Sequence, residues 1–214
     1  MMGDYLEQIK DCIIDGKYGE IEELVNAAIE EDANLDAIIN DAMIAAMDVV
    51  GQRFSDGEIF VPEMLVSAVT MTKGLDIVKP LMTGDERESK GTILVCTVKG
   101  DMHDIGKNLV IMMLEGAGFN VIDLGVDLSV EKVVQQVKES KPDILGLSAL
   151  LTTTMPQMKK VIEALEVNGL RNTVKVLVGG APVDASFAEK IGADGYGEDA
   201  TEAVRIARNL VVKN

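Results

Sequence analysis

Apolar positions follow two different periods along the chain, and the change falls near residue 90. Before that point they recur every three or four residues, which predicts amphipathic helices rather than strands. One such stripe consists of Ile38, Ile39, Ala42, Met43, Ala46, Met47 and Val50. The predicted helices span residues 5–15, 21–31, 35–50 and 61–81, with a break at 51–57 before the last of them. Short connections between four helices favour an antiparallel four-helix bundle.

From residue 92 onward, short apolar runs alternate with helical patterns. The apolar runs predict strands at 92–98, 121–126, 144–150, 174–178 and 193–197. The helical patterns that follow the strands cover 105–115, 130–140, 156–167, 185–191 and 201–212. Ser129 is the expected N-cap of the second of these helices. Near-continuous apolar strands separated by helices are typical of a parallel sheet covered on both faces. We therefore predict an α/β chain: a four-helix bundle followed by a flavodoxin- or Rossmann-like, doubly wound sheet of five parallel strands.

A polar stretch at 83–90 separates the two patterns and predicts a short exposed linker. The resulting domains are a helical bundle at 1–88 and a sheet domain at 89–214. The first carries 20 acidic and 6 basic side chains (net −14), and the second 16 and 14 (net −2). Phosphate binding needs clustered Lys and Arg, so a nucleic-acid partner is disfavoured. The acidic segment either keeps the protein in solution or steers a basic protein partner.

Composition adds constraints on the core and the compartment. Hydrophobic residues make up 47% of the chain but aromatic residues only 3%, so the core must be aliphatic. The two cysteines, Cys12 and Cys96, are far apart and predict no disulfide framework, as in a reducing cytoplasm. The first residues resemble no signal peptide, and no apolar run approaches the roughly 20 residues that cross a bilayer. We expect a cytoplasmic protein with no membrane association.

The only histidine of the chain, His103, is the first candidate for chemistry. One imidazole cannot form a zinc site, which needs three or four protein ligands. It can supply one axial ligand to a metal whose other positions a macrocycle fills. Asp101 could accept the hydrogen bond of the other ring nitrogen, and Gly106 would let a large group approach the backbone. The simpler alternative is a solvent-exposed histidine at the start of a helix.

Two other unusual segments fall at the same edge of the predicted sheet as His103. Residues 148–154 end the third strand with several hydroxyl side chains, and Gly179 and Gly180 end the fourth. Ligands of doubly wound sheets bind beyond the carboxyl ends of the strands. A glycine pair there would admit a flat ring between the strand ends, although glycines and threonines also serve as turn and cap residues. Residues 100–108 lack the spacing of a P-loop, which disfavours a nucleotide phosphate.

The motifs Asp101-x-His103-x-x-Gly106, Ser148-x-Leu150 and Gly179-Gly180 together resemble a known family. They resemble the B12-binding domain of the base-off/His-on type, found in methionine synthase, corrinoid mutases and methyltransferase corrinoid proteins. Residues 54–65 resemble the helical cap that precedes this domain in the methyl-transferring members. The two resemblances cover nearly the whole chain. The chain most resembles the small corrinoid proteins of methanol, methylamine and related methyl-transfer systems in methanogens and acetogens.

The resemblance implies a cobalamin or other corrinoid cofactor, bound base-off/His-on and methylated during turnover. His103 would be the axial cobalt ligand, Asp101 would hydrogen-bond it, and Ser148 would complete the relay. The cap would shield the upper cobalt face through Met64, Leu65 and Phe54. The implied cofactor-binding positions in the sheet domain are Asp101, His103, Asp104, Gly106, Ser148, Leu150, Thr152, Gly179, Gly180, Tyr196 and Gly197.

As function, the resemblance implies a methyl-carrier subunit rather than a stand-alone enzyme. It would serve anaerobic one-carbon metabolism by moving a methyl group from a substrate-specific methyltransferase to a second methyltransferase. A reductive activator protein would restore cobalt(I), and the linker at 83–90 would be the hinge of the cap. The alternatives are a cobalamin-dependent sensor, which normally carries a DNA-binding domain, the small subunit of a mutase, which needs no N-terminal bundle, and a plain flavodoxin-like domain.

Overall fold

The structure, a computed structural model, describes residues 2–82 and 89–211. Contacts divide the chain into two compact units. One comprises Met1–Ser89 and Glu115–Gly118, and the other comprises Lys90–Leu114 and Phe119–Asn214. The linker predicted at 83–90 falls mostly, at 83–88, outside the described residues.

The first unit is helical, with an aliphatic core. Its elements are α1 (Met2–Ile14), α2 (Ile21–Glu30), α3 (Leu35–Ala37), a π-helical segment (Ile38–Ile44), α4 (Ala45–Ser55), α5 (Val61–Val78) and a 3-10 turn (Lys79–Leu81). Helix α1 packs against α2, the π-helical segment and α4, and α5 packs against α2 and α4. Of the predicted apolar stripe, only Ile39 lies outside the buried set.

The predicted end of the third helix at residue 50 is wrong. The helical run from Leu35 continues through Gly51 to Ser55. Gly51 is buried within this run, and a glycine inside a helix does not by itself stop it. The turn comes at Gly57, where φ is +73°, a backbone conformation that glycine adopts without strain. The π-helical segment had no counterpart in the apolar spacing.

The second unit contains five parallel strands, which confirms the predicted sheet. They are β1 (Thr92–Thr97), β2 (Asn120–Asp123), β3 (Ile144–Ser148), β4 (Lys175–Gly179) and β5 (Gly195–Gly197), in the order β2-β1-β3-β4-β5. The helices are α6 (Ile105–Gly116), α7 (Val130–Ser140), α8 (Pro156–Val167), α9 (Ala185–Ile191) and α10 (Ala200–Val211). Ser129 caps α7 as predicted, because its hydroxyl accepts the N–H of Lys132. The strand order reverses between β1 and β3, and in such sheets ligands bind at that reversal.

Strands β2 and β3 are shorter than their apolar runs. Strand β2 ends at Asp123, whose carboxylate accepts the N–H of Gly125 at 2.9 Å, and the chain turns there with φ +86°. Strand β3 ends at Ser148, and the N–H groups of Leu150 and Leu151 beyond it donate to the carboxylate of Asp101 instead of a neighbouring strand. Apolar character alone cannot reveal these polar contacts. None of the helices in the described ranges has the length and apolar character needed to cross a membrane.

Candidate functional site

The carboxyl ends of four strands form one row across the sheet. Thr97 of β1 is paired with Ser148 of β3, Ser148 with Gly179 of β4, and Gly179 with Gly197 of β5. Three of these four residues are predicted site residues. The strand register therefore brings the motifs after strands one, three and four to a single edge, as the sequence predicted.

His103 lies in the loop of residues 98–104 between β1 and α6, called the histidine loop below. Its side chain is 52% exposed, and its Nδ1 lies 2.6 Å from Oδ1 of Asp101. The buried hydroxyl of Thr97 donates to the carbonyl oxygen of His103 at 2.9 Å, which fixes the loop backbone against β1. Nδ1 is thus occupied, while Nε2 has no hydrogen-bond partner among the described residues. An imidazole held in this way can offer Nε2 to a ligand or a metal.

Asp101 is fully buried, and its carboxylate accepts five hydrogen bonds. Oδ1 accepts from the N–H and Nδ1 of His103, and Oδ2 accepts from the N–H groups of Leu150 and Leu151 and from the hydroxyl of Thr154. Burial raises the pKa of this carboxyl, but the hydrogen bonds from His103, Leu150 and Thr154 outweigh burial and hold the pKa well below its usual range. An ionised carboxylate can only accept, so the proton in the short bond lies on Nδ1.

The expectation that Ser148 completes the relay is wrong in this structure. The hydroxyl on Asp101 belongs to Thr154, which is buried and lies 2.7 Å from Oδ2. Thr154 sits in the turn before α8, and this turn brings its side chain back over the strand ends. Its signal in the sequence was the run of three threonines at 152–154, from which spacing could not select the inward-facing one. Thr152 is exposed.

Exposed apolar side chains lie in the histidine loop, at the start of α6 and in the turn that binds Asp101. Met102 is 69% exposed and Ile105 84% exposed, and Leu150 and Leu151 are also exposed. A Cβ added at Gly106 would meet no atom within 4 Å, so the space beside this residue is open. An apolar surface with a projecting nitrogen fits a large, flat, mostly apolar ligand that carries a metal. Asp104 is exposed, and its carbonyl oxygen accepts the N–H of Asn108 at the start of α6.

The glycines at the ends of β4 and β5 have a packing reason of their own. At Gly180, where φ is +122°, an added Cβ would lie 2.0 Å from the carbonyl oxygen of Ala149, and at Gly179 it would lie 3.0 Å from that of Gly197. Gly197 is buried against Ala203. The strands therefore need these glycines whether or not a ring enters between them. Tyr196 is half-buried and packs against the core of the sheet unit.

The helical unit holds the predicted cap residues. Met64 is fully buried in the core of this unit and presents no surface to a ligand, which argues against the contact predicted for it. Leu65 and Phe54 are partly exposed. Phe60, at the start of α5, is 68% exposed and was missed, although it lies in the 54–65 run. Exposure could not be read from a run with so many apolar residues.

No group of three or more histidine, cysteine, aspartate or glutamate side chains in the described ranges is arranged to hold a metal ion. Cys12 and Cys96 are both buried free thiols, and burial raises the pKa of Cys96 to about 12. A metal at this site would therefore need ligands from a cofactor in addition to His103.

Comparisons with known proteins point to one family. A family model described as "B12 binding domain" matches residues 91–205, and a second with the same description matches 5–79. The dimethylamine corrinoid protein of Methanosarcina barkeri is 43% identical over 97% of this chain and 98% of its own length. The trimethylamine corrinoid protein of the same organism is 40% identical over 94% of both chains.

Two solved structures match this chain over nearly its full length. A cobalamin-binding protein from Desulfitobacterium hafniense superposes with a TM-score of 0.80 at 34% identity, covering 96% of this chain and 98% of that one. A chain of the methanol:cobalamin methyltransferase complex from Methanosarcina barkeri superposes with a TM-score of 0.87 at 34% identity, covering 99% of this chain and 81% of that one. The chain therefore belongs to the family of B12-binding corrinoid proteins.

Proposed function

We propose that this chain carries a methyl group on the cobalt of a bound corrinoid, from a substrate-specific methyltransferase to a second methyltransferase. The observation that carries the proposal is the exposed imidazole of His103, held through Nδ1 by a buried, ionised Asp101, in a chain similar over nearly its full length to methylamine corrinoid proteins. The cobalt of the bound cofactor supplies the chemistry, because it can accept and release a methyl group.

The residues present fit a corrinoid bound base-off/His-on. His103 would hold the cobalt through Nε2, and the exposed apolar side chains of Met102, Ile105 and Leu150 would contact the corrinoid. Gly106 leaves open space beside it. The displaced nucleotide tail would extend along the strand ends past Ser148 and the other predicted positions, namely Thr152, Gly179, Gly180, Tyr196 and Gly197.

The protein's part in the chemistry is to keep His103 available in one tautomer and one direction. Nδ1 donates its hydrogen to Asp101, which selects the tautomer in which the neutral ring carries its lone pair on Nε2. Thr154 and the N–H groups of Leu150 and Leu151 hold the other carboxylate oxygen, so the carboxylate cannot turn away. His103 thus acts as a ligand whose tautomer and orientation are set by the buried carboxylate, and not as a general base.

The bundle at 1–88 would act as a cap that keeps water from the reactive face of the cofactor. Because Met64 is buried, we propose Leu65, Phe54 and the exposed Phe60 as the side chains available for this role.

The methyl donor would be chosen by the partner methyltransferase, since the carrier presents the same methyl group whatever its source. The donors to compare are methanol, mono-, di- and trimethylamine, a quaternary amine and methoxyarenes. The resemblance also implies a reductive activator as partner. We propose a cytoplasmic location because the two cysteines are free thiols, as is usual in a reducing compartment.

The test is a labelled transfer experiment. The chain is loaded with reduced cobalamin and incubated with each carbon-13 methyl donor and its methyltransferase, and protein-bound methyl is measured by NMR. We expect labelling with one donor class, subsequent loss of the label to a second methyltransferase, and little labelling of the His103→Ala variant. Absence of labelling with every pair, together with adenosyl-cobalamin-dependent rearrangement of a mutase substrate, would overturn the proposal.

A further inference from the structure

Asp127 lies in the loop between β2 and α7, yet it contacts three successive residues of the chain just before His103. Its Oδ1 accepts the N–H of Gly100 at 2.8 Å, and its Oδ2 pairs with Nζ of Lys99 at 3.0 Å. Its own N–H donates to the carbonyl oxygen of Asp101 at 3.0 Å. No sequence motif links Asp127 to the histidine loop, and the role of this residue is not explained by the cofactor contacts proposed above.

The backbone of Asp127 is in a conformation that side-chain-bearing residues rarely adopt. Its φ is +56°, and Gly100 opposite it has φ +85°. A residue other than glycine with positive φ is uncommon, and such conformations persist where surrounding contacts hold them. Here the contacts are those with residues 99–101. The hydrogen bond from Gly100 and the pairing with Lys99 lower the pKa of the Asp127 carboxyl, which keeps this acceptor charged.

These contacts hold Asp101 from two sides of the strand reversal. Its carboxylate is fixed on the β3 side by Leu150, Leu151 and Thr154, and its backbone is fixed on the β2 side by Asp127. We propose that Asp127 is a positioning residue for the histidine loop: it fixes the backbone of residues 99–101 so that the carboxylate of Asp101 reaches both His103 and the turn at 150–154. The link to cobalt ligation rests on the proposed function, whereas the effect on the loop does not.

Three variants separate the effect of losing the Asp127 side chain from the effect of the strained backbone. Asp127→Gly removes both carboxylate contacts but tolerates the positive φ and keeps the N–H. Asp127→Asn keeps an oxygen for Gly100 but loses the charge. Asp32→Gly is the matched control, because Asp32 has the same φ of +56° and lies in the helical unit. Circular dichroism of the full chain verifies that each variant is folded.

Two measurements follow on these proteins. Without cofactor, amide hydrogen exchange at Gly100 should become about tenfold faster or more in Asp127→Gly, as expected for loss of a bond to a charged acceptor. It should be intermediate in Asp127→Asn and unchanged in Asp32→Gly. With cobalt(II) cobalamin bound, the fraction of protein with histidine nitrogen coupled to cobalt should fall in the same order.

Wild-type exchange at Gly100 in folded Asp127→Gly, or equal acceleration in Asp32→Gly, would overturn the positioning role. Accelerated exchange without any change in the cobalt signal would overturn its link to the ligand. A wild-type protein without histidine coupling would instead contradict the proposed function, and the exchange data would still decide whether Asp127 holds the loop.

Discussion

At the scale of single residues, the site depends on which hydroxyl group reaches Asp101. Thr154 donates to the buried carboxylate, and Thr154→Val removes this donor with little change of shape. We expect cobalamin affinity to fall about tenfold, the typical loss for a hydrogen bond to a charged group. Ser148→Ala is the matched control, with a smaller effect, and titration of the apo-proteins with cobalamin measures both. A cobalamin affinity of Thr154→Val equal to that of wild type would contradict this role of Thr154.

The lowered pKa of Asp101 makes a prediction about acid stability. A carboxyl whose pKa is lower in the folded than in the unfolded state stabilises the fold above the unfolded value of about 3.9. This contribution is lost as pH falls below that value towards the folded pKa. Apo Asp101→Asn should therefore unfold at lower urea concentration than wild type at pH 7, and the difference should shrink as the buffer is taken below about pH 4.

The control for this experiment is Asp104→Asn, an exposed carboxylate in the same loop. It should leave the urea midpoint close to wild type at both pH values. A difference between Asp101→Asn and wild type that stays constant from pH 7 to the acid range would mean that the charge of Asp101 is not what stabilises the fold.

At the scale of elements, Gly180, the residue directly after β4, is required by its neighbours. Gly180→Ala would place a methyl group 2.0 Å from the carbonyl oxygen of Ala149 in a strained backbone conformation. We expect a loss of about 2–4 kcal/mol in the free energy of unfolding. At Gly169, φ is also positive but the space is open, so Gly169→Ala should cost only about 1 kcal/mol. Equal losses in urea unfolding would show that the contact with Ala149 is relieved by a backbone shift.

The same scale shows what the sequence could and could not predict. The spacing of apolar residues predicted nearly all helices and strands, because a buried face requires apolar residues at regular positions. The ends of β2 and β3 could not be predicted in this way, since polar contacts of Asp123 and Asp101 lie there. The motif residues Asp101 and His103 were found because a lone histidine beside an aspartate is unusual. Thr154 and Asp127 were not, because their partners lie far away in the sequence.

At the scale of the whole molecule, the charge is concentrated in the first segment. Residues 1–88 have a net charge of −14 and residues 89–214 of −2. Such a charge could steer a basic methyltransferase to the carrier. In that case the second-order rate constant of methyl transfer should fall several-fold as the salt concentration rises from about 0.02 to about 0.5 M, because salt screens the attraction between the two proteins. Stopped-flow measurements at several salt concentrations would detect this. A rate constant independent of salt would mean that the acidic charge serves solubility and does not steer a partner.

The central claim is that Nε2 of His103 would be a ligand of the corrinoid's cobalt. Electron paramagnetic resonance of the cobalt(II) form tests it most directly, when the protein is made with nitrogen-15 histidine and loaded with unlabelled cobalamin. We predict that the hyperfine splitting changes from the three-line nitrogen-14 pattern to the two-line nitrogen-15 pattern. A splitting that keeps three lines, from the benzimidazole base, or that shows no nitrogen at all, would contradict the account.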